Sequence, residues 1–327
     1  FTAMRAVLKA PSKTQVVYVA GYTGLVGSAL DRRLSGREPW RVVTADRAEL
    51  DLTDPRSVLE FLNREKPEAV IIAAGRVGGI RANAEYPGEF IYENLMIETN
   101  LIHGAWRAGV QRLLNFGSSC MYPKDCPQPM RPEFLMTGGM EPTSEPYAVA
   151  KWAGFSLCGA YNRQYGTRYR TAIPCTVYGP GDNFDPETGH VLSALLGRLH
   201  QVKEENRPTV VLWGSGKPRR EFLYADDLAE ACEVLLESHE GKEPVNIGSS
   251  EAVSIRDLAN LAAEVVGYRG RITWDLSKPD GAPRKEMDSS VIRSLGWKPR
   301  TALRDGLAAT YRWFLENEGK AGRSCVS

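Results

Sequence analysis

Hydrophobic positions along the first half of the chain alternate between two kinds of run. Gln15-Val16-Val17-Tyr18-Val19-Ala20 is short, β-branched and aromatic, which predicts a strand. It leads straight into Gly21-Tyr22-Thr23-Gly24-Leu25-Val26-Gly27, and a helical pattern follows through Ser28-Ala29-Leu30. The pattern then repeats: strand at 40–44, helix at 57–64, strand at 69–73, helix at 94–108, strand at 112–116, one long helix at 147–165, strand at 171–174. Strands separated by helical stretches of roughly 10 to 15 residues predict a parallel α/β sheet covered on both faces. After Pro180 the character changes. Gly, Pro and Asp crowd 179–188, and Lys217-Pro218-Arg219-Arg220 forms a second polar stretch, which predicts loops folding over a ligand on a rigid scaffold. Helical periodicity returns at 226–237, 254–266 and 301–316, where Leu303, Leu307, Tyr311 and Phe314 share a face.

Charge narrows the function classes. The 41 basic and 40 acidic side chains of 327 residues leave a formal charge of +1, so no bulk field collects nucleic acid or anionic lipid. With 43% apolar and 25% charged residues, the chain reads as an ordinary globular protein of one large domain or two interlocked ones. Its apolar runs, such as Ala69-Val70-Ile71-Ile72-Ala73-Ala74, are strand-sized and far short of a bilayer span, so no membrane partner is expected. Phe1 to Met4 reads as a leftover of processing or expression rather than a signal peptide, and a cytoplasmic enzyme is expected. The six cysteines, at 120, 126, 158, 175, 232 and 325, lack zinc-site spacing and are too thin for a disulfide scaffold; most are expected to be buried thiols, and no metal site is expected.

Chemistry begins at the glycine loop. Gly21, Gly24 and Gly27 follow a strand and open a helix, the context in which missing side chains let helix N-terminal amides approach a pyrophosphate. At the end of the second strand Asp46 and Arg47 point to different cofactors: a carboxylate accepts from a free ribose 2'-hydroxyl, whereas a guanidinium pairs with a 2'-phosphate. Asp51 is a further candidate for the adenine edge.

Tyr147 and Lys151 are four apart on a predicted helix that Pro146 suits at its start, so they share a face. A tyrosine's ordinary pKa of ~10 is too high for efficient proton exchange near neutrality. A neighbouring Lys151 ammonium, with the oxidised nicotinamide when present, is expected to lower it, letting Tyr147 give a proton to a carbonyl oxygen as hydride reaches the carbon. Ser118 and Ser119 sit just past the 112–116 strand, where parallel sheets present catalytic groups, and a serine there polarises the same oxygen. Ketone reduction alone does not need Cys120. C–H bonds beside a ketone are acidic, because deprotonation yields an enolate, so Cys120 is a candidate base or acid and His190 a candidate for the opposite role. Inert burial of Cys120 and substrate hydrogen bonding by His190 are the alternatives. His103, His200 and His239 are assigned to packing or surface.

Several stretches together resemble the GDP-L-fucose synthase family of extended short-chain dehydrogenase/reductases: Val77-Gly78-Gly79-Ile80, Gly117-Ser118-Ser119-Cys120-Met121-Tyr122-Pro123-Lys124, Glu145-Pro146-Tyr147-Ala148-Val149-Ala150-Lys151, Trp213-Gly214-Ser215-Gly216 with Arg220-Glu221-Phe222-Leu223, and Lys278-Pro279-Asp280-Gly281-Ala282-Pro283-Arg284-Lys285. The resemblance spans roughly 15 to 317. It implies a Rossmann-like parallel sheet with a smaller, mainly C-terminal substrate-binding domain. The expected division is 15–180 with 221–250 for the cofactor and 181–220 with 251–320 for the substrate.

The resemblance also implies a homodimer that uses NADPH, with NADP+ as product, on a GDP-linked 4-keto sugar. Ser118, Tyr147 and Lys151 would form the reductive triad, with Cys120 and His190 as epimerisation base and acid. Gly21, Thr23, Gly24, Leu25, Val26, Gly27, Arg47, Ala73, Ala74, Tyr147 and Lys151 would hold the cofactor. Ser118, Ser119, Asn183, His190, Arg198, Trp213, Arg220 and Lys285 would hold the substrate. The family's usual histidine-arginine in the glycine loop is Tyr22-Thr23 here, its alanine-lysine before Val77 is Gly75-Arg76, its threonine-asparagine after Pro174 is Cys175-Thr176, its histidine before Pro186 is Asp185, and its arginine pair is Gly197-Arg198.

Overall fold

The computed structural model describes residues 14–238, 243–278 and 280–317, so Phe1 to Met4, His239, Pro279 and Cys325 lie outside the described residues. In chain order the first half runs β1 (Gln15–Ala20), α1 (Leu25–Leu34), β2 (Trp40–Val43), α2 (Pro55–Glu65), β3 (Ala69–Ile72), α3 (Ile80–Glu85), α4 (Pro87–Arg107) and β4 (Arg112–Phe116). Next come α5 (Glu145–Tyr165), β5 (Arg168–Pro174), β6 (Thr176–Tyr178), α6 (Val191–Glu204), β7 (Thr209–Trp213), β8 (Arg219–Tyr224) and α7 (Ala225–Ser238). The chain closes with β9 (Val245–Ile247), β10 (Ala252–Ser254), α8 (Ile255–Val266), β11 (Arg271–Asp275), β12 (Arg284–Lys285), α9 (Ser290–Ser294) and α10 (Leu303–Glu316).

Six parallel strands form the main sheet in the order β2-β1-β3-β4-β5-β9, with Tyr18 level with Val43 on one side and Val70 on the other. The chain leaves β1 to one side and returns on the other as β3, so the crevice past Ala20 and Ile72 is the switch point where open α/β sheets bind ligands. Val17, Val19, Leu30, Leu34, Ile71, Leu228 and Leu235 close one face under α1 and α7. Tyr18, Leu62, Val70, Ile72, Leu101 and Leu113 close the other under α2, α4 and α5. Burying both faces explains why these strands are continuous apolar runs rather than alternating ones, each buried aliphatic side chain contributing roughly 1.5–3 kcal/mol.

Helix ends follow local chemistry. Asp54 caps α2 by accepting from the Arg56 and Ser57 amides, with Pro55 in the first turn, and Gly166 ends α5 in the left-handed region at φ 69°. The one large boundary difference is α4, predicted from 94 but beginning at Pro87. A proline start and inward-facing Phe90 and Asn94 extend the buried stripe by two turns.

A second core gathers the later elements. Strands β6, β10 and β12 pair with β8, and β7 pairs with β11. Tyr178, Phe184, Leu195, Phe222, Leu258, Leu307 and Phe314 pack between this layer and α6, α8 and α10. His200 sits there, its Nδ1 2.9 Å from the Tyr311 hydroxyl, a packing histidine as expected. His103, on the outside of α4, bonds the Tyr161 hydroxyl at 2.7 Å. No helix among the described residues is long and apolar enough to cross a membrane.

Candidate active site

The glycine loop turns at the switch point. Gly21 adopts φ +79°, and a Cβ there would sit 2.6 Å from the Ala74 Cα; one on Gly27 would overlap the Gly21 carbonyl. The Gly24 amide donates to the Gly21 carbonyl at 3.1 Å, closing a tight turn onto α1. No side chain caps that helix, so its leading amides, at Leu25, Val26 and Gly27, face the crevice without an acceptor of their own. Such a turn fits a diphosphate, with Ala73 and Ala74 past β3 packed against Gly21. At the end of β2 the Asp46 carboxylate takes the Ala48 and Glu49 amides, both at 2.9 Å, and is committed to its turn. The adjacent Arg47 is exposed. Asp51 is likewise used locally, by the Thr53 amide and hydroxyl. Of the groups near the second strand, the guanidinium is the one that fits a 2'-phosphate.

One step further along the crevice lies the tyrosine-lysine pair. Pro146 opens α5 as expected, and Lys151 Nζ sits 5.9 Å from the centre of the Tyr147 ring. A Cβ on Gly75 would lie 3.7 Å from Lys151 Nζ, which ties the pair to the end of β3 and so to the cofactor cradle. Ser118 stands at the C-terminal end of β4, its Oγ accepting from the Cys120 amide at 3.2 Å as it caps a single helical turn, Ser119–Met121. That turn packs on α5 and brings Ser118 and half-buried Cys120 against Tyr147.

The expected lowering of the Tyr147 pKa is reversed in this state. Burial pushes the phenol up and outweighs the pull of Lys151 and of the Ser118 hydroxyl. Lys151 is itself paired: its Nζ meets Glu98 Oε1 at 2.6 Å with both side chains almost wholly buried. Burial works against the ammonium, but Glu98 more than offsets it, and the lysine pKa is raised.

His190 approaches from the loop. It stands at the start of α6, with Nδ1 3.9 Å from Oδ1 of buried Asp182. Its partial burial opposes protonation, but Asp182 prevails and holds the imidazole above its ordinary value. Asp182 is fixed by the Asn183 amide and the Ser193 hydroxyl. The Gly79 amide bonds the Thr188 carbonyl at 2.9 Å, and Phe90, in contact range of Gly78, stands edge-on to Tyr147, so one continuous wall joins this loop to the tyrosine.

The remaining substrate candidates spread outward. The Asn183 side chain is used within its own loop, donating to Thr188 Oγ1 and accepting from the Asp185 amide. Arg198 lies half-buried two turns along α6 from His190. Arg220 and Lys285 are register partners on β8 and β12, two cations side by side. Trp213 is 62% exposed at the end of β7 with Lys278 Nζ 5.4 Å over its ring, and no described contact joins it to Tyr147. Cys126, Cys158, Cys175 and Cys232 are buried free thiols, and among the described residues no cluster could hold a metal.

Comparison with known proteins places this geometry. Residues 17–248 match the model of the NAD dependent epimerase/dehydratase family. Over 305 residues the chain is 52% identical to GDP-L-fucose synthase 1 of Arabidopsis thaliana, covering 93% of this chain and 94% of that one. It is 49% identical to the GDP-L-fucose synthase of Escherichia coli (strain K12), covering 94% and 98%. The chain belongs to the GDP-L-fucose synthase family. A solved GDP-mannoheptose C4 reductase from Campylobacter jejuni with NADP bound shares the fold at TM-score 0.83 and 35% identity, over 92% of this chain and 98% of that one.

Two departures from the family's usual residues have a structural reading in this member of the GDP-L-fucose synthases. Arg76 pairs with Glu89 and, at 2.7 Å, with Glu93, and lies against the Tyr86 and Phe90 rings, so its longer planar head is accommodated. Gly75 leaves room for Asn94, whose Oδ1 would be 2.7 Å from a Cβ there. Sequence reasoning missed Glu98 and Asp182. A signal for the first was present: Glu98 is the one charged residue, beside Asn94 and Asn100, among the buried positions of a helix that otherwise turns apolar residues and glycine inward. Asp182 had none beyond its place in a polar loop.

Proposed function

We propose that this chain converts GDP-4-keto-6-deoxy-D-mannose to GDP-L-fucose, by epimerisation at C3 and C5 and then NADPH-dependent reduction at C4. The observation that carries the reading is the convergence of Ser118, Cys120, Tyr147 and Lys151 beside a diphosphate cradle, in a chain about half identical to GDP-L-fucose synthases.

The glycine cradle, Thr23, Ala73, Ala74 and Arg47 would hold the cofactor, with Tyr147 and Lys151 at its reactive end. When bound, NADPH supplies a hydride to C4. The chain's own residues handle protons. Cys120 as thiolate takes the C3 or C5 proton while Ser118 and Tyr147 donate hydrogen bonds to the carbonyl oxygen, which carries the enolate charge. Protonated His190, held in that form by Asp182, returns a proton from the opposite face and inverts the centre. In the reductive step Tyr147 gives its phenolic proton to the C4 oxygen, and Lys151 stabilises the phenolate left behind. A high phenol pKa suits this direction, because the reactive form is the acid.

Arg220 and Lys285 are suited to two phosphates, with Arg198, Ser119, Asn183 and Trp213 completing the substrate surface. The division stays near the expected limits, 15–180 with 221–250 for cofactor and 181–220 with 251–320 for substrate: α6, α8 and α10 around the second core favour it, while Tyr178 and Phe222 reach into that core and Met287, Ile292 and Trp297 into the first. Stacked Trp106 and Tyr165, with Tyr161, form an aromatic strip on the outer face of α4 and α5 that suits a second copy of the chain, as in a homodimer. Five described free cysteines suit a reducing compartment, in keeping with a cytoplasmic site.

Incubation with NADPH and the 4-keto sugar should oxidise the nucleotide and give GDP-L-fucose. A product reduced at C4 with C3 and C5 unchanged would contradict the epimerase half, and unchanged NADPH would contradict the whole reading.

A further inference from the structure

Behind the tyrosine-lysine pair, on the side away from solvent, lies a polar cluster that the proton steps above leave unused. Lys151 and Glu98 side chains are 4% and 1% exposed and meet at 2.6 Å. Glu98 reaches Lys151 from the middle of α4 across the α4–α5 contact, and Gly154 makes the space: a Cβ there would overlap Glu98 Oε2 and stand 2.8 Å from the Asn115 amide nitrogen. Glu98 Oε2, the Asn115 side chain and the Thr171 hydroxyl are all buried here, with Asn115 set towards the Glu98 carboxylate and Thr171 towards the Cys158 thiol. Such a group is costly in a core, and a fold that omits a side chain to admit it retains it against that cost.

The electrostatics indicate what is gained. Burial works against both charges, raising the Glu98 pKa and opposing the Lys151 ammonium, yet Glu98 together with Tyr147 holds the lysine above its ordinary value. At Tyr147 the two charges act in opposite senses, Lys151 favouring phenolate and Glu98 opposing it. The groups facing the pair are Tyr147 and Cys158 from α5 and uncharged Asn115 from β4; the Thr171 hydroxyl from β5 faces Cys158, and Cys120 faces Tyr147 from the Ser119–Met121 turn.

We propose that Glu98 is a positioning residue for the reduction: its buried carboxylate holds Lys151 charged and in place to receive the phenolate, while its own charge opposes loss of the Tyr147 proton before the reaction. This rests on the proposed reductase chemistry, but its test does not depend on turnover alone. Glu98→Gln keeps the shape and removes the charge. Lysine labelled with 13C at Cε, with the Lys151 signal assigned by its loss in Lys151→Arg, reports protonation without substrate.

In the wild type the Lys151 signal should remain that of an ammonium throughout the alkaline range. In Glu98→Gln its midpoint should fall by at least about one pH unit, and the alkaline limb of kcat should fall with it while KM for sugar and NADPH changes little. Both possible consequences of losing the carboxylate, an earlier neutral lysine or an earlier phenolate, move that limb the same way. Glu98→Asp should restore most of the shift. If Glu98→Gln does not fold, Gly154→Ala, which displaces the carboxylate, carries the same expectation. A Lys151 titration unchanged in the folded variant, with only a lower melting temperature or a pH-independent loss of kcat, would overturn the proposal. A wild type that reduces no ketone would contradict the proposed function and leave the lysine titration to decide this one.

Discussion

Two basic side chains border the candidate site, each beside a carboxylate, and they are held differently. Lys151 and Glu98 are sealed inside the α4–α5 contact at 2.6 Å, with side-chain exposures of 4% and 1%. His190 and Asp182 stand at 3.9 Å on a loop, with the imidazole 39% exposed. In the proposed mechanism the first arrangement fixes a charge that stays throughout, and the second tunes one that comes and goes. Burial makes a pair insensitive to pH only when both members are buried, and the open face of His190 leaves it a route for protons.

The largest effect should come from Tyr147→Phe, which removes the donor hydroxyl but keeps the ring against Phe90. Reduction should fall by roughly 10²–10⁴-fold, with cofactor binding and folding retained, as read by NADPH oxidation and fluorescence titration. Undiminished turnover would reject Tyr147 as the acid.

Breaking the buried pair comes next. Lys151→Met strands Glu98, and a loss of about 3–5 kcal/mol is expected in urea unfolding. The sign with pH is specific. Burial already holds the Glu98 pKa above its ordinary value against the pull of Lys151, and without that partner it stands higher still, so the penalty is small in acid and grows as pH rises from the unfolded carboxyl value towards the folded one. Asp182→Asn at the open pair should cost less, under about 1 kcal/mol beyond its loop bonds.

How far the sequence foretold these two regions also differs. The alternation of apolar runs placed all of β1 to β5 and helices α1, α2, α5, α7 and α10 to within a few residues, because strands buried on both faces leave continuous runs. Gly21, Gly27, Tyr147 and Lys151 were legible because backbone approach and helical spacing are local properties. Glu98 was not, since its role exists only once α4 lies on α5 and Gly154 yields the space. The direction of the Tyr147 pKa failed for the same reason: proximity to Lys151 is local, whereas burial and the Glu98 charge are not.

A subtler contrast lies in the proton-transfer arm. Cys120→Ser should lower hydrogen exchange at C3 and C5 by about 10²-fold or more, with the reductive machinery unaltered. Normal exchange in this variant would return Cys120 to a packing role. The smallest effect is a shift rather than a loss. Asp182 holds the His190 pKa above ~6.5, so its stabilisation is fully present below that pH and is lost as pH rises through the folded value. Asp182→Asn should therefore bring the alkaline limb of C3/C5 exchange to lower pH, and an unmoved limb would detach Asp182 from the chemistry.

The central claim is that one pocket both inverts and reduces. Deuterium incorporation measures the first activity by itself: the wild type, with NADP+ in place of NADPH, is incubated with GDP-4-keto-6-deoxymannose in D2O and the sugar is read by NMR. Label at both C3 and C5, followed by formation of GDP-L-fucose once NADPH is added, is the result the account predicts. Reduction on adding NADPH without prior label at either carbon, and with the original configuration kept, would contradict it.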